Sequence, residues 1–476
     1  MRLSHILNSI TPYKLDGDAD PEIVGLAYDS RQVKPGGLFV ALKGYSQDGH
    51  AFIPNAVQNG AVAVVAESLE NGHGINKNIV WIKVSDSRKA LSKLAATFYD
   101  HPFENMHLIG ITGTNGKTTT SYLLESILLT AGRKPGVIGT INYRCPGKTW
   151  PATVTTPESL ELMQTFRQMA DAGVSDVVME VSSHALDQGR SEGCPFRVAV
   201  FTNITRDHLD YHHSMEEYFR AKSLLFQNLG DKSKAVINGD DPRGKDLAKI
   251  AGGPVVTYGL GKDCDVRADH VRSTRTGISA KLITVSGQTE IRSSLIGDFN
   301  IYNILAASAA ALCMGIDIGT IKSGIKQIKG VPGRLEPVEN RRSLTIIVDY
   351  AHTPDALIKA LGSIGSLVEK GRTITVFGCG GDRDKGKRRE MGYAAGRYSD
   401  LIIVTSDNPR SEDPDEIITQ IEKGVIESGM KIMDASPADG LKSSGYILDP
   451  DRGNAIRQAI ELAGKSDIIF NCRKRA

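Results

Sequence analysis

The chain reads Ile109-Gly110-Ile111-Thr112-Gly113-Thr114-Asn115-Gly116-Lys117-Thr118-Thr119-Thr120 where an apolar run, residues 107–112, meets a segment of helical composition, residues 118–130. In such a turn, glycines let backbone N–H groups approach phosphate oxygens, and the helix N-terminus favours the anion. Lys117 is placed to reach β- and γ-phosphates, and the Thr118 hydroxyl to bind Mg²⁺. The strict motif has glycine where this chain has Ile111, so an ordinary glycine-rich turn is the alternative. The junction predicts a nucleotide-phosphate site.

The segments beyond this junction repeat the order strand, loop and helix. Apolar strand candidates lie at residues 174–181 and 198–202, and the rhythm continues to a break at Val331-Pro332-Gly333. Alternation of this kind predicts a parallel sheet covered by helices. Three more apolar runs, at residues 344–348, 373–377 and 401–405, predict a second and smaller α/β domain after the break.

The first hundred residues have a different texture. Short β-branched runs at residues 38–42 and 61–65 lie between glycines and prolines, which is typical of strands. His101-Pro102-Phe103 ends this part, because a residue before proline is disfavoured in a helix. We therefore predict three α/β domains, at residues 1–103, 104–333 and 334–476.

The composition bounds the class of protein. With 476 residues, 40% hydrophobic and 24% charged, the chain can bury several cores. Its 57 basic and 55 acidic residues leave a net charge of +2, which excludes broad electrostatic binding of nucleic acid. Six scattered cysteines without a Cys-x-x-Cys pair suit a reducing cytosol. There is no secretion signal, and the apolar run at 304–316 is too short to span a bilayer, so we expect a cytoplasmic monomer with no membrane or nucleic-acid partner.

Six further motifs lie along the chain: Tyr28-Asp29-Ser30-Arg31, Thr155-Thr156-Pro157-Glu158, Glu180-Val181-Ser182-Ser183-His184, Asn203-Ile204-Thr205-Arg206-Asp207-His208-Leu209-Asp210, Gly297-Asp298-Phe299-Asn300 and Asp349-Tyr350-Ala351-His352-Thr353-Pro354. With the loop at 112–119 they resemble the Mur ligases, the ATP-dependent amide-forming enzymes of peptidoglycan precursor synthesis. The resemblance implies an N-terminal UDP-sugar-binding domain, a central P-loop ATPase domain and a Rossmann-like, amino-acid-binding C-terminal domain. It implies a ligase that adds meso-2,6-diaminopimelate to UDP-N-acetylmuramoyl-L-alanyl-D-glutamate through an acyl phosphate, with ATP as co-substrate and Mg²⁺ as cofactor.

Metal ligands are expected at the ends of the central strands. Glu180 ends the run at 174–181, where an α/β sheet presents its ligand sites, although a solvated glutamate is an equal alternative. The phosphate-loop pattern makes Thr118 a Mg²⁺ ligand, and the resemblance adds Glu180 as a ligand, His208 as a ligand to a second Mg²⁺, and Lys222. Histidine prefers softer metals, and Lys222 by itself reads as a solvated lysine on a polar helix face. The resemblance implies that Lys222 is carbamylated to N6-carboxylysine, which turns a cation into a carboxylate-like ligand.

The resemblance also assigns substrate contacts. For ATP it gives Gly113, Thr114, Asn115, Gly116, Lys117, Thr118, Thr119, Asn303 and Arg334. For the UDP-muramoyl-dipeptide it gives Tyr28, Ser30, Thr155, Thr156, Ser182, Gln188 and Arg190. Thr155 and Thr156 also read as the start of a helix. For diaminopimelate it gives Arg383, Asp407, Asn408, Pro409 and Arg410.

The segment Asp407-Asn408-Pro409-Arg410 carries the expected choice of amino acid. In the family this form marks ligases that take meso-diaminopimelate rather than lysine. Diaminopimelate has an extra carboxylate, with which Arg410 can form a charge-assisted pair, whereas lysine would leave that arginine unpaired. A lysine-adding ligase is the first alternative.

The end of the sequence departs from the family pattern. The family continues after its last strand with a Gly-Lys-Gly-His-Glu segment, whereas this sequence reads Phe470-Asn471-Cys472-Arg473-Lys474-Arg475-Ala476. We therefore expect a truncated C-terminus and a third domain that is incomplete and less securely folded. The second alternative is a catalytically impaired homologue that only binds nucleotide and UDP-sugar.

Overall fold

The computed structural model describes residues 1–476 apart from residues 12, 18, 45–46, 69–77, 369, 434–443 and 473–476. Its strands form three sheets, of five, eleven and six strands. The predicted three-domain α/β architecture is confirmed. Within the described ranges, no helix is long and apolar enough to cross a membrane.

The first sheet lies in the N-terminal domain. Its elements are α1 Leu3–Leu7, β1 Lys14–Asp16, β2 Leu26–Ala27, β3 Gly37–Val40, α2 Ile53–Gln58, β4 Ala61–Ala66, β5 Val80–Lys83 and α3 Ser87–Phe98. The order is β1-β5-β4-β3-β2, in which β1 and β5 are antiparallel and the other neighbours are parallel. Leu38 and Val40 of β3 face one hydrophobic core and Phe39 faces another, so this strand is buried on both faces.

The second sheet belongs to the central domain. Its strands are β6 His107–Thr112, β7 Pro135–Ile138, β8 Asn142–Cys145, β9 Lys148–Pro151, β10 Asp176–Glu180, β11 Phe196–Phe201, β12 Lys234–Asn238, β13 Val255–Gly259, β14 Val266–Thr274, β15 Gly277–Thr284 and β16 Gly287–Ser293. Its helices are α4 Lys117–Thr130, α5 Ser159–Asp171, α6 Ser183–Asp187, α7 Leu209–His212, α8 Met215–Gln227, α9 Gly244–Ile250, α10 Asn300–Cys313 and α11 Ile318–Gln327. The order is β16-β15-β14-β13-β12-β11-β6-β10-β7-β8-β9.

The middle of this sheet positions the phosphate loop. β6 lies between β10 and β11 and is parallel to both, with Ile111 opposite Glu180 and Thr112 opposite Phe201. The carboxyl ends of three strands therefore meet at one edge, where α/β sheets bind ligands. The apolar run at 304–316 falls largely in α10, which is buried in the core on one face of the sheet. Its hydrophobicity reflects packing inside a large domain.

The third sheet forms the C-terminal domain. Its elements are β17 Glu336–Pro337, β18 Thr345–Asp349, α12 Pro354–Leu367, β19 Thr373–Phe377, α13 Gly386–Tyr398, β20 Leu401–Val404, α14 Pro414–Glu427, β21 Gly445–Leu448, α15 Arg452–Leu462 and β22 Ile468–Cys472. The order is β17-β18-β22-β19-β20-β21. β22 pairs in parallel with β18 on one side and β19 on the other. The expectation of a less secure third domain stays a prediction. In the sheet, the last strand occupies a central position and is hydrogen-bonded along both edges.

The domain limits at residues 103 and 333 stay predictions. Sheet membership changes between β5 and β6, and again between β16 and β17, so each limit falls within a connecting segment.

Candidate active site at the carboxyl ends of the central strands

The phosphate loop, residues 113–116, connects β6 to α4. Gly113 and Gly116 have φ angles of +148° and +87°, which side chains rarely adopt. A Cβ atom at Gly113 would overlap the Thr202 hydroxyl, and one at Gly116 would overlap the Asn303 amide. Both glycines are therefore required by the close packing of the loop, and Asn303 lies directly beneath it, where the family resemblance placed an ATP contact.

Lys117 begins α4 and folds back across the loop. Its Nζ donates to the carbonyls of Gly113, at 2.7 Å, and Thr114, at 2.9 Å. Burial lowers the pKa of Lys117, while the neighbouring Glu180 carboxylate opposes that shift. A desolvated cation held over a phosphate-sized loop is an electrostatic site for an anion.

Asn115, at the tip of the loop, is held by the residues that follow β11. Its backbone N–H donates to Asn203 Oδ1 at 3.0 Å, and its carbonyl accepts from Thr202 Oγ1 at 2.6 Å and Asn203 Nδ2 at 3.1 Å. No role was predicted for Thr202 or Asn203 from the sequence. Their position could have indicated one, since they follow β11, a strand parallel and adjacent to β6.

Thr118, Glu180 and Arg334 come together beside the loop. Thr118 Oγ1 donates to Glu180 Oε2 at 3.0 Å and accepts from the Arg334 guanidinium at 3.2 Å. Thr140 donates to the same carboxylate through its N–H, at 3.1 Å, and its hydroxyl, at 2.9 Å. Glu180 is only 1% exposed, so the alternative of a solvated strand-end glutamate is wrong. A buried carboxylate beside a hydroxyl supplies the oxygen ligands that Mg²⁺ prefers.

Lys222 lies on α8 and points under the same loop. It is 2% exposed, and its Nζ donates to the Gly113 carbonyl at 3.0 Å, the oxygen that Lys117 also contacts. The interpretation of Lys222 as a solvated lysine is therefore wrong. Burial, together with the positive charge of Lys117, holds the pKa of Lys222 well below its ordinary value. That environment favours a neutral amine, the form that reacts with carbon dioxide to give a carbamate.

His208 stands at the turn before α7, with a left-handed φ of +55°. Its ring lies 4.8 Å from that of His184, and its Nε2 is 3.4 Å from Asp207 Oδ2. Burial lowers the pKa of His208 to about 4, so its imidazole is neutral at physiological pH. A neutral ring has the lone pair that a metal ligand needs.

The side chains predicted to contact the UDP-muramoyl-dipeptide form a hydrogen-bonded polar group that begins at Glu180. Thr155 Oγ1 is 3.0 Å from Thr140 Oγ1, and Thr156 Oγ1 donates to the Glu180 carbonyl at 2.9 Å. The Ser182 N–H donates to Thr156 Oγ1 at 3.0 Å, and its hydroxyl caps α6. The threonines and Ser182 therefore stabilise the local structure beside Glu180.

Arg190 belongs to the same polar group. Its guanidinium donates to the Thr156 carbonyl at 3.0 Å and to Gln188 Oε1 at 3.0 and 2.7 Å. From the N-terminal domain, the Tyr28 hydroxyl donates to Glu161 at 2.8 Å across the domain boundary. Ser30 lies two residues after Tyr28, on the 3₁₀ turn Ser30–Gln32. It is buried, and its carbonyl accepts a hydrogen bond from the Asn59 side chain.

The loops that follow β19 and β20 form the second part of the site. Arg383 and Asp407 line a cavity there, together with His352, Cys379, Lys387 and Cys472. The Gly381 N–H donates to the Asn408 carbonyl at 3.0 Å, and the Arg410 guanidinium donates to the Gly381 carbonyl. A Cβ atom at Gly381 would overlap the Pro409 carbonyl. Asn408 and Pro409 therefore contribute backbone that packs the two loops together.

A buried ion pair that the sequence analysis missed braces these loops. Arg388 is 0% exposed and donates to both carboxylate oxygens of Glu412, at 2.8 and 2.9 Å, and to Gln420 at 2.9 Å. The hydrogen bonds from Arg388 lower the pKa of Glu412 to about 2. In sequence, Arg388 sits in a basic run that reads as a solvated face, and charge alone does not distinguish it from its neighbours.

The structure thus presents a phosphate loop with buried cations, a carboxylate–hydroxyl pair beside it, and a small cavity between two loops of the third domain. These features define an ATP-binding α/β enzyme of the P-loop class. Three family descriptions match successive parts of the chain: "Mur ligase family, catalytic domain" at residues 22–99, "Mur ligase middle domain" at 111–311 and "Mur ligase, glutamate ligase domain" at 333–472.

The chain belongs to the Mur ligase family and is an ATP-dependent ligase that forms carbon–nitrogen bonds. It is 49% identical to the UDP-N-acetylmuramoyl-L-alanyl-D-glutamate--2,6-diaminopimelate ligase of Geobacter sulfurreducens, over 99% of this chain and 93% of that protein. A solved structure of a ligase of the same name is 32% identical, with a TM-score of 0.67, covering 94% of this chain and 89% of that one. The MurF ligase of Thermotoga maritima in complex with ADP, 20% identical, covers 94% of each chain with a TM-score of 0.64 and shares the fold.

The expected truncation is not supported by these matches. The C-terminal family match runs to residue 472, and the aligned region takes in 93% of the first relative. This coverage favours the ligase over the impaired homologue that the unusual final residues suggested.

Proposed function

We propose that this chain joins meso-2,6-diaminopimelate to UDP-N-acetylmuramoyl-L-alanyl-D-glutamate, with ATP activating the carboxylate as an acyl phosphate. The observation that carries this proposal is the 49% identity, over 99% of the chain, to a relative named for that reaction. The reaction belongs to peptidoglycan precursor synthesis in the cytoplasm, and so to cell-wall biogenesis, cell shape and division. The proposed protein is a monomer that acts on small molecules.

The phosphate loop would bind the ATP phosphates. The loop leads into the N-terminus of α4, which favours an anion, and Lys117 supplies positive charge from a buried position. Asn303, under the loop, and Arg334, beside Thr118, extend the ATP contacts. The transferred phosphoryl group carries negative charge on its outer oxygens. The loop and its cations would therefore act by positioning that group and by stabilising its charge.

One Mg²⁺ would be held by oxygen atoms of Thr118 and Glu180, and a second by neutral His208, with carboxylated Lys222 as a further ligand. The metal would supply charge neutralisation for the phosphate and acyl groups. The donor types fit, because Thr118 Oγ1 and Glu180 Oε2 lie 3.0 Å apart and Lys222 is buried under the phosphate loop. Carboxylation would also turn one of the two lysine side chains that meet at the Gly113 carbonyl into an anion.

The cleft between the first two domains would bind the UDP-muramoyl-dipeptide. Arg190 offers a guanidinium for a carboxylate, and Thr155, Thr156 and Ser182 offer hydroxyls next to Glu180. Gln188 orients Arg190, while Tyr28 and Ser30 belong to the nucleotide end of the cleft in the N-terminal domain. The acceptor carboxylate would then face the γ-phosphate at the end of β6.

The third domain would bind and select the amino acid. Arg383 and Asp407 line the cavity between its two loops, and Arg410 follows them on the second loop. A guanidinium there pairs with the distal carboxylate of diaminopimelate, and lysine lacks that partner. The amine of the bound amino acid attacks the acyl phosphate, a new C–N bond forms, and inorganic phosphate leaves.

Phosphate release by the purified protein tests this function. The proposal requires release only when ATP, UDP-muramoyl-dipeptide and diaminopimelate are all present, with each omission giving background. Equal release with lysine indicates the lysine-adding ligase. Nucleotide binding without release under any combination indicates the impaired homologue.

A further inference from the structure

One carboxylate of the third domain reaches the tip of the phosphate loop. Asp355, in the first turn of α12, accepts hydrogen bonds at Oδ2 from Asn115 Nδ2, at 3.2 Å, and from Thr205 Oγ1, at 3.1 Å. Both donors belong to the central domain. The chain separates Asp355 from Asn115 by 240 residues, so this contact exists only while the third domain lies against the loop.

The two donors belong to one hydrogen-bonded unit. Thr205 follows β11, and its N–H donates to Thr114 Oγ1 at 3.0 Å. Thr114 Oγ1 lies 3.2 Å from the Thr205 carbonyl, to which it donates in turn. Asn115 is held by Thr202 and Asn203 through its own backbone. Its side-chain amide is therefore directed outward while its main chain is fixed. Asp355 thus contacts both the loop and the segment that supports it.

Two further features of α12 act on the Asp355 side chain. Lys359, one turn later on α12, donates to Oδ2 at 3.0 Å, and the N-terminus of the helix favours an anion. The side chain is 32% exposed, so these contacts are shared with water. Arg206 and Glu390 form an ion pair between the same two domains, and this contact is longer, at 3.8 Å, and more exposed.

We propose that Asp355 is a positioning residue, which holds the third domain against the phosphate loop so that the amine and the acyl phosphate meet. The kinetic consequence of this role rests on the proposed function. The contact of Asp355 with the phosphate loop does not depend on it. Asp355 touches no reacting atom in this account and acts through Asn115 and Thr205.

Kinetics of Asp355→Ala, Asp355→Asn and Lys359→Ala separate this role from a stabilising charge on α12. We expect Asp355→Ala to lower kcat by about ten- to one-hundredfold, since two charge-assisted hydrogen bonds are lost. Asp355→Asn keeps an accepting oxygen, so its kcat should lie between those of the parent protein and Asp355→Ala. The KM for the UDP-muramoyl-dipeptide should stay within about twofold, because that cleft is formed by the other two domains. Lys359→Ala removes the helix ion pair alone and should leave kcat within about twofold.

A second pair of variants tests the path of the coupling. Thr205→Val keeps the shape of the side chain and removes its donor, so its effect should disappear in an Asp355→Ala background. Additive losses would overturn the proposal, as would an Asp355→Ala enzyme within twofold of the parent. Equal defects in Lys359→Ala and Asp355→Ala would also overturn it.

Small-angle X-ray scattering provides a readout that needs no turnover. With a non-hydrolysable ATP analogue, the parent protein should be more compact than Asp355→Ala. Identical radii of gyration would overturn the proposal. If the parent protein forms no tripeptide, the proposed function fails, and the scattering comparison still decides whether Asp355 holds the domains together.

Discussion

The phosphate loop is built in the opposite way from the two loops that follow β19 and β20, which would bind the amino acid (the amino-acid loops). The phosphate loop and the start of α4 form one continuous segment, residues 113–119, which supplies both shape and chemistry, with two glycines in conformations that other residues avoid. The amino-acid loops are two separate segments that pack on each other, and each contains a non-glycine residue with positive φ, Asp382 and Arg410. Their shape depends on the buried Arg388–Glu412 pair behind them.

In the first region function depends on local sequence, and in the second it depends on tertiary support. Lys117 is positioned by the loop that directly precedes it, through carbonyls three and four residues away. Arg410 is positioned by Gly381, which lies on the other loop, 29 residues away in sequence. Substitutions at the first region should therefore abolish chemistry without unfolding, whereas substitutions behind the second should act through geometry and stability.

Lys117→Met should have the largest effect. Removing a preorganised cation from the site of developing charge should lower kcat by about 10²–10³-fold. Because Lys117 is buried at a desolvation cost, the variant should keep or raise its melting temperature. Steady-state phosphate release and thermal denaturation check both parts. An active variant, or one that loses activity by unfolding, would break the contrast between the two regions.

Lys222→Ala should lower kcat nearly as much as Lys117→Met, but an added carboxylic acid should restore activity. A short carboxylic acid added in solution can occupy the space and supply the missing carboxylate, so activity should rise with its concentration. Lys222→Arg serves as the control, since it keeps a cation that cannot be carboxylated, and it should show no rescue. Intact mass of the native protein should show one added carbon dioxide. Failure of rescue together with an unmodified mass would contradict carboxylation at Lys222.

Arg410→Ala should act on one substrate. We expect the KM for diaminopimelate to rise by about ten- to one-hundredfold, because a charge-assisted pair is lost, with the KM for ATP within about twofold. Arg389→Ala, an exposed arginine of the same domain paired with Glu427, is the matched control and should change neither. A uniform rise in every KM would show that the loop had collapsed.

Glu412→Gln should give the smallest change at the active site and a pH-dependent change in stability. The pKa of Glu412 is lowered from 4.5 to about 2 in the folded state, so its stabilisation is present above pH 4.5 and lost as the pH falls toward 2. The melting temperature of the variant should lie below that of the parent at neutral pH, and the gap should narrow on acidification. Glu427→Gln, which leaves only the exposed Arg389 unpaired, should show no such narrowing. A gap that does not change with pH would contradict the role of the ion pair.

The sequence predicted what short segments determine by themselves. The glycine-rich junction revealed the β6–α4 unit, and alternation of strands and helices revealed three α/β domains. The motifs around Glu180 and Asp407 marked two strand ends, and the fold confirms that each of these strands is parallel to both of its neighbours. Residue-level roles in these edges stay predictions.

What the sequence did not predict depends on burial. Lys222 reads as a polar helix residue, yet the packing of α8 under the phosphate loop buries it. Arg388 stands among four other charged residues at 384–389 and only the meeting of α13 with α14 distinguishes it. Asp355 lies 240 residues from the loop that it contacts. In each case the decisive partner comes from a distant part of the chain, which no local pattern encodes.

The most direct measurement of the central claim is the product formed when the purified protein is given ATP, UDP-muramoyl-dipeptide and equal concentrations of diaminopimelate and lysine. Mass spectrometry of the UDP-linked product should show the diaminopimelate tripeptide in large excess, and Arg410→Ala should reduce that excess. Lysine incorporated to the same extent, or ATP consumed with no tripeptide formed, would contradict the account.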